Sequence, residues 1–250
     1  MGKFFVKENQ IKNECILITG DDVNHIKNVL RHNVGDNIVI CDEQGKNYNC
    51  EIVEFNKDSI KSKIIDIADS NSEGTIKISI FQGVPKFDKM DLIIQKSVEL
   101  GAYEFFPTEM KRCIVKFDES TINKKIDRWQ KISEVASKQS GRDIIPKVNY
   151  PIKVNQIPNI IDQFDLFIVP YECEKENTLK EVLKKINHND IINGSFKVGI
   201  LIGPEGGFDE EEIKTLEETN SSIVTLGNRI LRTETVAMSM ISIIMYELGI

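Results

Sequence analysis

Over the first seventy residues apolar positions fall in short runs, several alternating with polar ones, at 4–6, 15–18, 37–41, 48–55 and 59–67. A period of two predicts half-buried strands. Asn33-Val34-Gly35-Asp36 and Asp42-Glu43-Gln44-Gly45 supply turns between them. One helix interrupts: Asp21 or Asp22 can cap it, and Val23, Ile26, Val29 and Leu30 share a face at helical spacing. Short strands around one helix point to a small barrel.

The polar stretch Asp69-Ser70-Asn71-Ser72-Glu73-Gly74 reads as a linker. Beyond it the rhythm alternates. Strands are expected at 76–81, 103–107 and 165–169, and helices at 89–100, 121–140 and 178–186. On the long helix Ile122, Ile126, Trp129, Ile132, Val135 and Ala136 recur at helical spacing, and Gly101 and Gly141 close two helices. Such alternation predicts a mostly parallel sheet with helices on both faces. The segment 236–246 is apolar nearly all round, which calls for burial on every side, within the chain or against a second subunit.

Two apolar strands near the end run into glycine loops. Residues 198–202 lead into Gly203-Pro204-Glu205-Gly206-Gly207-Phe208, and 222–226 into Gly227-Asn228-Arg229-Ile230-Leu231-Arg232-Thr233-Glu234-Thr235. In α/β sheets this arrangement builds a ligand crevice at the carboxyl edge. Glycines let backbone approach a ligand, and Asp209 with Glu212 forms a capping box for the next helix. The first loop holds no lysine and is followed by acids at a helix N-terminus, which argues against a phosphate-bearing ligand. Thr233 or Thr235 fits an N-cap, and Arg232 beside Glu234 fits either an ion pair or a pair that steers substrate and proton.

Composition narrows the classes further. The net charge of −7 argues against a general nucleic-acid coat, but it divides into −4 over 1–76, +4 over 77–150 and −7 over 151–250. A basic middle allows a local phosphate-facing surface, although lysines on amphipathic helices are often simply solvated. Five scattered cysteines without C-x-x-C spacing read as reduced cytosolic thiols. Lys7 and Glu8 end the first apolar run too early for a signal-peptide core. There is no P-loop, no G-x-G-x-x-G, no G-x-S-x-G and no metal-binding cluster around His25, His32 or His188.

The two loops, with Lys3-Phe4-Phe5, His25-Ile26-x-x-Val29-Leu30-Arg31, Gln95-Lys96-x-x-Glu99-Leu100-Gly101, Arg128-Trp129 and Gln139-Ser140-Gly141-Arg142 with Pro146, resemble the ribosomal RNA small subunit methyltransferase E family of the SPOUT superfamily. The resemblance spans the whole chain and departs at Val236, where the family usually has alanine. It implies a PUA-like, RNA-binding β-barrel over 1–70 and an α/β trefoil-knot methyltransferase domain over 76–250. It implies a homodimer that uses S-adenosylmethionine to methylate N3 of a uridine in 16S RNA of the assembled small subunit. From the cysteines and the missing motifs the chain is expected to be cytoplasmic and to carry no metal. The cofactor would lie against Pro170, Leu201, Ile202, Gly203, Pro204, Glu205, Gly206, Leu226, Gly227, Ile230, Leu231 and Thr233, with Arg232 and Glu234 catalytic. RNA phosphates would meet Lys86, Lys111, Arg112 and Arg142 from the basic middle, and His25, Lys27 and Arg31 from the small domain. Two other readings stay open: a SPOUT enzyme acting on another base or ribose, and a non-catalytic RNA-binding assembly factor.

Overall fold

The computed structural model describes residues 3–42, 44–68, 72–192 and 195–249. The chain forms two compact units: Met1–Glu73 together with Ser137–Ile145, and Gly74–Ala136 together with Pro146–Ile250. Residues 69–71 of the expected linker lie outside the described residues.

The first unit is a six-stranded sheet of β1 (Lys3–Val6), β2 (Ile11–Lys12), β3 (Cys15–Thr19), β4 (Asn37–Asp42), β5 (Asn47–Phe55) and β6 (Ser59–Ala68), in the order β1-β4-β5-β6-β3-β2. Its pairings are antiparallel except β1 with β4. The alternating positions converge on one core that includes Phe4, Ile16, Ile18, Ile40 and Ile52. The expected helix is cut short. Helix α1 (Asp21–Asn24) gives way to a π-turn over His25–Val29, and Gly20, at φ +80°, takes the cap position, so Asp21 and Asp22 sit in the first turn instead. The wider turn rotates the register: Val23 and Ile26 are buried, while Val29 and Leu30 face solvent.

Residues 137–145 complete this unit through buried polar contacts. Arg142, only 5% exposed, forks onto Glu73, and Asp143 receives Lys3, Asn47 and the Ser72 N–H. Burial alone would push both carboxyls up. Arg142 holds Glu73 below the usual range, and Lys3, Ser72 and Asn47 hold Asp143 well below it.

The second unit carries a parallel sheet of β7 (Ile76–Gly83), β8 (Ala102–Glu109), β9 (Lys147–Val148), β10 (Ile152–Lys153), β11 (Leu166–Pro170), β12 (Phe196–Ile202) and β13 (Ser221–Val224). The order is β10-β8-β7-β12-β11-β13, with β9 on β8. Its helices are α2 (Lys89–Glu99), α3 (Glu119–Ser140), α4 (Leu179–Lys184), α5 (His188–Ile192), α6 (Glu210–Glu217) and α7 (Thr233–Leu248). Helix α3 starts in this unit and ends in the first. Period two sorts each buried strand onto two cores. Val198, Ile200 and Ile202 join Ile93 of α2 and Ile241 and Ile244 of α7, whereas Leu201 joins Phe81, Phe167 and Ile213 of α6. On α3 Trp129 and Ala136 are buried as expected, but Val135 is exposed and Ser133 and Ser137 take buried positions.

Helix α7 is not buried all round by its own chain. Ala237, Met240, Ile241, Ile244 and Leu248 are covered, while Ile243 and Tyr246 are exposed. Among the described residues no helix is long and apolar enough to cross a membrane, and no group of three His, Cys, Asp or Glu is placed to hold a metal ion.

Candidate active site

A cavity of about 350 Å³ opens beyond the carboxyl ends of β11, β12 and β13, where parallel α/β sheets gather ligands. Strand β12 delivers the first loop. Because successive side chains point to opposite faces, Ile202 reaches the cavity and Leu201 is sealed in the core beneath α6. Leu201 is therefore a core residue, contrary to expectation. Pro170, Gly203, Pro204 and Glu205 line the cavity as expected, but Gly206 does not: its Cα faces the Arg112 side chain. The loop turns through a Gly207 N–H bond to the Pro204 carbonyl, 3.0 Å. Gly207 has φ +67°, and a Cβ there would stand 2.4 Å from Glu172 Oε1. Asp209 then caps α6, and Glu212 accepts from the Asp209 N–H at 2.9 Å, so the expected capping box is present.

The second loop supplies Leu226, Gly227, Ile230, Leu231, Arg232 and Thr233 to the same cavity. Gly227, at φ +103°, gives its N–H to Thr225 Oγ1. Ile230 is 85% exposed. The capping role expected of Thr233 or Thr235 falls instead to Arg232, whose extended backbone starts α7 without a side-chain bond. Thr233 is left free for a different task. Its buried hydroxyl donates to the Gly203 carbonyl at 2.7 Å and accepts from Gln82 Nε2 at 2.8 Å. One side chain thus ties both loops to the end of β7. Nothing along the chain distinguishes Gln82 as its partner. Gly83 beside it is also required: a Cβ there would lie 2.7 Å from the Pro204 nitrogen, backbone that has little room to yield.

Charges on the wall are arranged around Lys89, the first residue of α2, which the sequence did not single out. Its ammonium lies 3.0 Å from Glu205 Oε1 and 3.4 Å from Glu234 Oε2. The Glu205 hydrogen bond raises the Lys89 pKa, with help from Glu234. Burial alone would push the Glu205 carboxyl up, but backbone N–H donors and Lys89 hold it below the usual range. Glu234 is absent from the cavity wall, its Oε2 is buried without a hydrogen bond, and its ion partner is Lys89, not Arg232. Tyr171, Glu172, Phe208, Thr225, Arg229 and Val236 complete the lining.

The basic residues expected to meet RNA differ in availability. Arg142 is buried against Glu73 and structural, so it does not present itself to a phosphate. Lys111 bridges Asp209 and Glu211, both at 2.9 Å, and Arg112 donates to the Gly206 carbonyl at 3.1 Å. Lys86 is half-buried, and its N–H bonds Glu205. In the first unit His25, Lys27 and Arg31 are all exposed.

Residues 72–245 match the family model described as an RNA methyltransferase domain, and residues 18–65 match that of an RNA methyltransferase PUA domain. These matches make the chain an RNA methyltransferase of the α/β type with a PUA-like N-terminal domain. The chain is 38% identical to ribosomal RNA small subunit methyltransferase E of Bacillus subtilis, over 92% of this chain and 89% of that protein. With the enzyme of the same name from Mesomycoplasma hyopneumoniae the identity is 33%, over 97% and 98%. A crystal structure of the Neisseria gonorrhoeae enzyme bound to S-adenosyl methionine superposes with a TM-score of 0.84 at 30% identity, covering 98% of this chain and 97% of that one. The chain belongs to the ribosomal RNA small subunit methyltransferase E family.

Proposed function

We propose that this protein transfers the methyl group of S-adenosylmethionine to N3 of a uridine in the 16S RNA of the assembled small ribosomal subunit, in the cytoplasm. The observation that carries the reading is the cavity between the two loops. Its volume of about 350 Å³ suits a small cofactor. Its walls combine apolar Ile202, Leu226, Leu231 and Phe208 with the carboxylates of Glu172 and Glu205, and the first loop offers no lysine. That set fits a ligand with a sulfonium cation and no phosphate. The cofactor would be held by Pro170, Ile202, Gly203, Pro204, Glu205, Leu226, Gly227, Ile230, Leu231 and Thr233. Val236 adds its two methyl groups to the same wall. When bound, S-adenosylmethionine supplies an electrophilic methyl carbon, whose bond to sulfur breaks with the electron pair kept by sulfur as N3 takes the methyl.

Uracil N3 becomes a nucleophile as its proton leaves, here to water at the cavity mouth. Arg232, exposed at the rim, stabilises the imidate charge that develops. Glu234, behind the wall, orients Lys89 in front of it. Lys86, Lys111 and Arg112 in the large unit, with His25, Lys27 and Arg31 in the PUA-like unit, contact RNA phosphates. Lys111 and Arg112 must then exchange their present acceptors for phosphate.

The chain is read as a trefoil-knotted homodimer. The return of the chain from β13 past the first loop into α7, packed on α2, supports the knot. The exposed Ile243 and Tyr246 on the outer side of α7 support a second copy there. Light scattering is expected to give twice the chain mass, and a monomer at micromolar concentration would contradict the dimer.

Incubation with small subunits lacking the modification and labelled S-adenosylmethionine is expected to place label in the RNA. No incorporation would overturn the reading. Thr233→Val, which removes both hydroxyl bonds between the loops, is expected to weaken cofactor binding roughly tenfold by calorimetry. Unchanged affinity would show that the tie does not shape the site.

A further inference from the structure

We propose that Lys89 is a second catalytic cation, which donates a hydrogen bond from Nζ to one of the two uracil carbonyl oxygens flanking N3 as negative charge develops there. The inference rests on the methyl-transfer reading above. A uracil that has lost its N3 proton spreads the charge over both neighbouring carbonyl oxygens, so a single donor covers only half of it. Three cations line the cavity: Arg229, Arg232 and Lys89. The two arginines are exposed on the second loop. Lys89 differs in being built into the first turn of α2 and anchored from two sides, by Glu205 of the first loop at 3.0 Å and by Glu234 of α7 at 3.4 Å.

Two carboxylates around one ammonium do three things. They fix the cation before substrate arrives, which is the condition under which a donor stabilises developing charge without reorganisation. They keep it protonated through neutral and mildly alkaline pH. They also leave the cluster with one excess negative charge, compatible with a neighbouring sulfonium. The side chain is 30% exposed, enough for one of its three N–H groups to reach a substrate while the two carboxylates hold the ammonium in place. The arrangement explains why Glu234 sits behind the wall with an oxygen lacking any hydrogen bond: it faces the lysine that faces the cavity. The other charged groups on the lining are Glu172 and Glu205, and Lys86 bonds Glu205 only through its backbone N–H.

The test compares wild type, Lys89→Met and Lys89→Arg on small subunits lacking the modification, with labelled S-adenosylmethionine. Lys89→Met is expected to lose about a hundredfold in kcat, to bind cofactor within about fivefold of wild type by calorimetry, and to keep its circular dichroism. Lys89→Arg is expected to stay within tenfold of wild type. The pH dependence supplies a readout that a structural role would not move. Without the cation the reaction relies on N3 ionising by itself, so the rate of Lys89→Met is expected to climb with pH more steeply than that of wild type. A folded Lys89→Met that binds cofactor and keeps more than a tenth of kcat, or shows the pH profile of wild type, overturns the proposal. An inactive wild type would instead overturn the methyl-transfer reading on which it stands.

Discussion

Arg232→Ala is expected to lower kcat by about 10²–10³, the range seen when one donor to a developing oxyanion is removed. Calorimetric affinity for S-adenosylmethionine should stay within a few fold. The separation follows from position. Arg232 starts α7 with its backbone alone, its carbonyl accepting the Val236 N–H at 3.0 Å, and no side-chain bond holds the helix end. Alanine keeps that backbone and removes only the exposed guanidinium at the rim. The tie through Thr233, which sets the distance between the two loops, is untouched. A variant that binds cofactor and turns over near the rate of wild type would remove Arg232 from the chemistry.

The second large effect is on stability. Arg142→Ala is expected to destabilise the first unit by about 3 kcal/mol, because it strands the Glu73 carboxylate in a mostly enclosed site. Denaturant unfolding measures this. Unchanged stability with weakened RNA binding would restore Arg142 to the phosphate-contacting group. The same cluster sets an acid limit. Glu73 and Asp143 both have folded carboxyls held below their unfolded values. Their contribution is therefore fully present above the unfolded values, around pH 4. It is lost as pH falls below that and passes through the folded values. Removing Arg142 should flatten the Glu73 part of that acid slope.

Much of the site could be read along the chain, for identifiable reasons. The first loop announces itself because an apolar strand stops at glycine and a capping box restarts the chain at Asp209, all within local reach. The second loop is local in the same way. What the sequence hid depends on which face a residue takes or on partners far away. Residues 198–202 are apolar almost without interruption, so periodicity could not tell that Ile202 meets the cavity while Leu201 meets α6. Thr233 has a capping residue's chemistry at a helix start, yet its hydroxyl serves Gly203 and Gln82, the latter 151 positions away. Lys89 looks like any lysine on an amphipathic helix until folding sets it between Glu205 and Glu234. Arg142 was expected to meet RNA phosphate from a basic stretch, and only the return of Ser137–Ile145 to the first unit buries it beside Asp143. The π-turn after α1 cost Val29 and Leu30 their expected burial by a shift of register that heptad-like spacing does not reveal.

These outcomes move weight from the glycines, which shape the walls, to the charges set into them: Arg232 on the rim and Lys89 held by two acids. The measurement that tests the account most directly maps methylation in the small subunit. Small subunits from a strain lacking this protein would be incubated with the purified chain and S-adenosylmethionine, and their 16S RNA digested for mass spectrometry. The account predicts that one uridine gains a single methyl group, on N3, absent from the untreated RNA. A methyl on ribose or on another base, or no methyl at all, would contradict it.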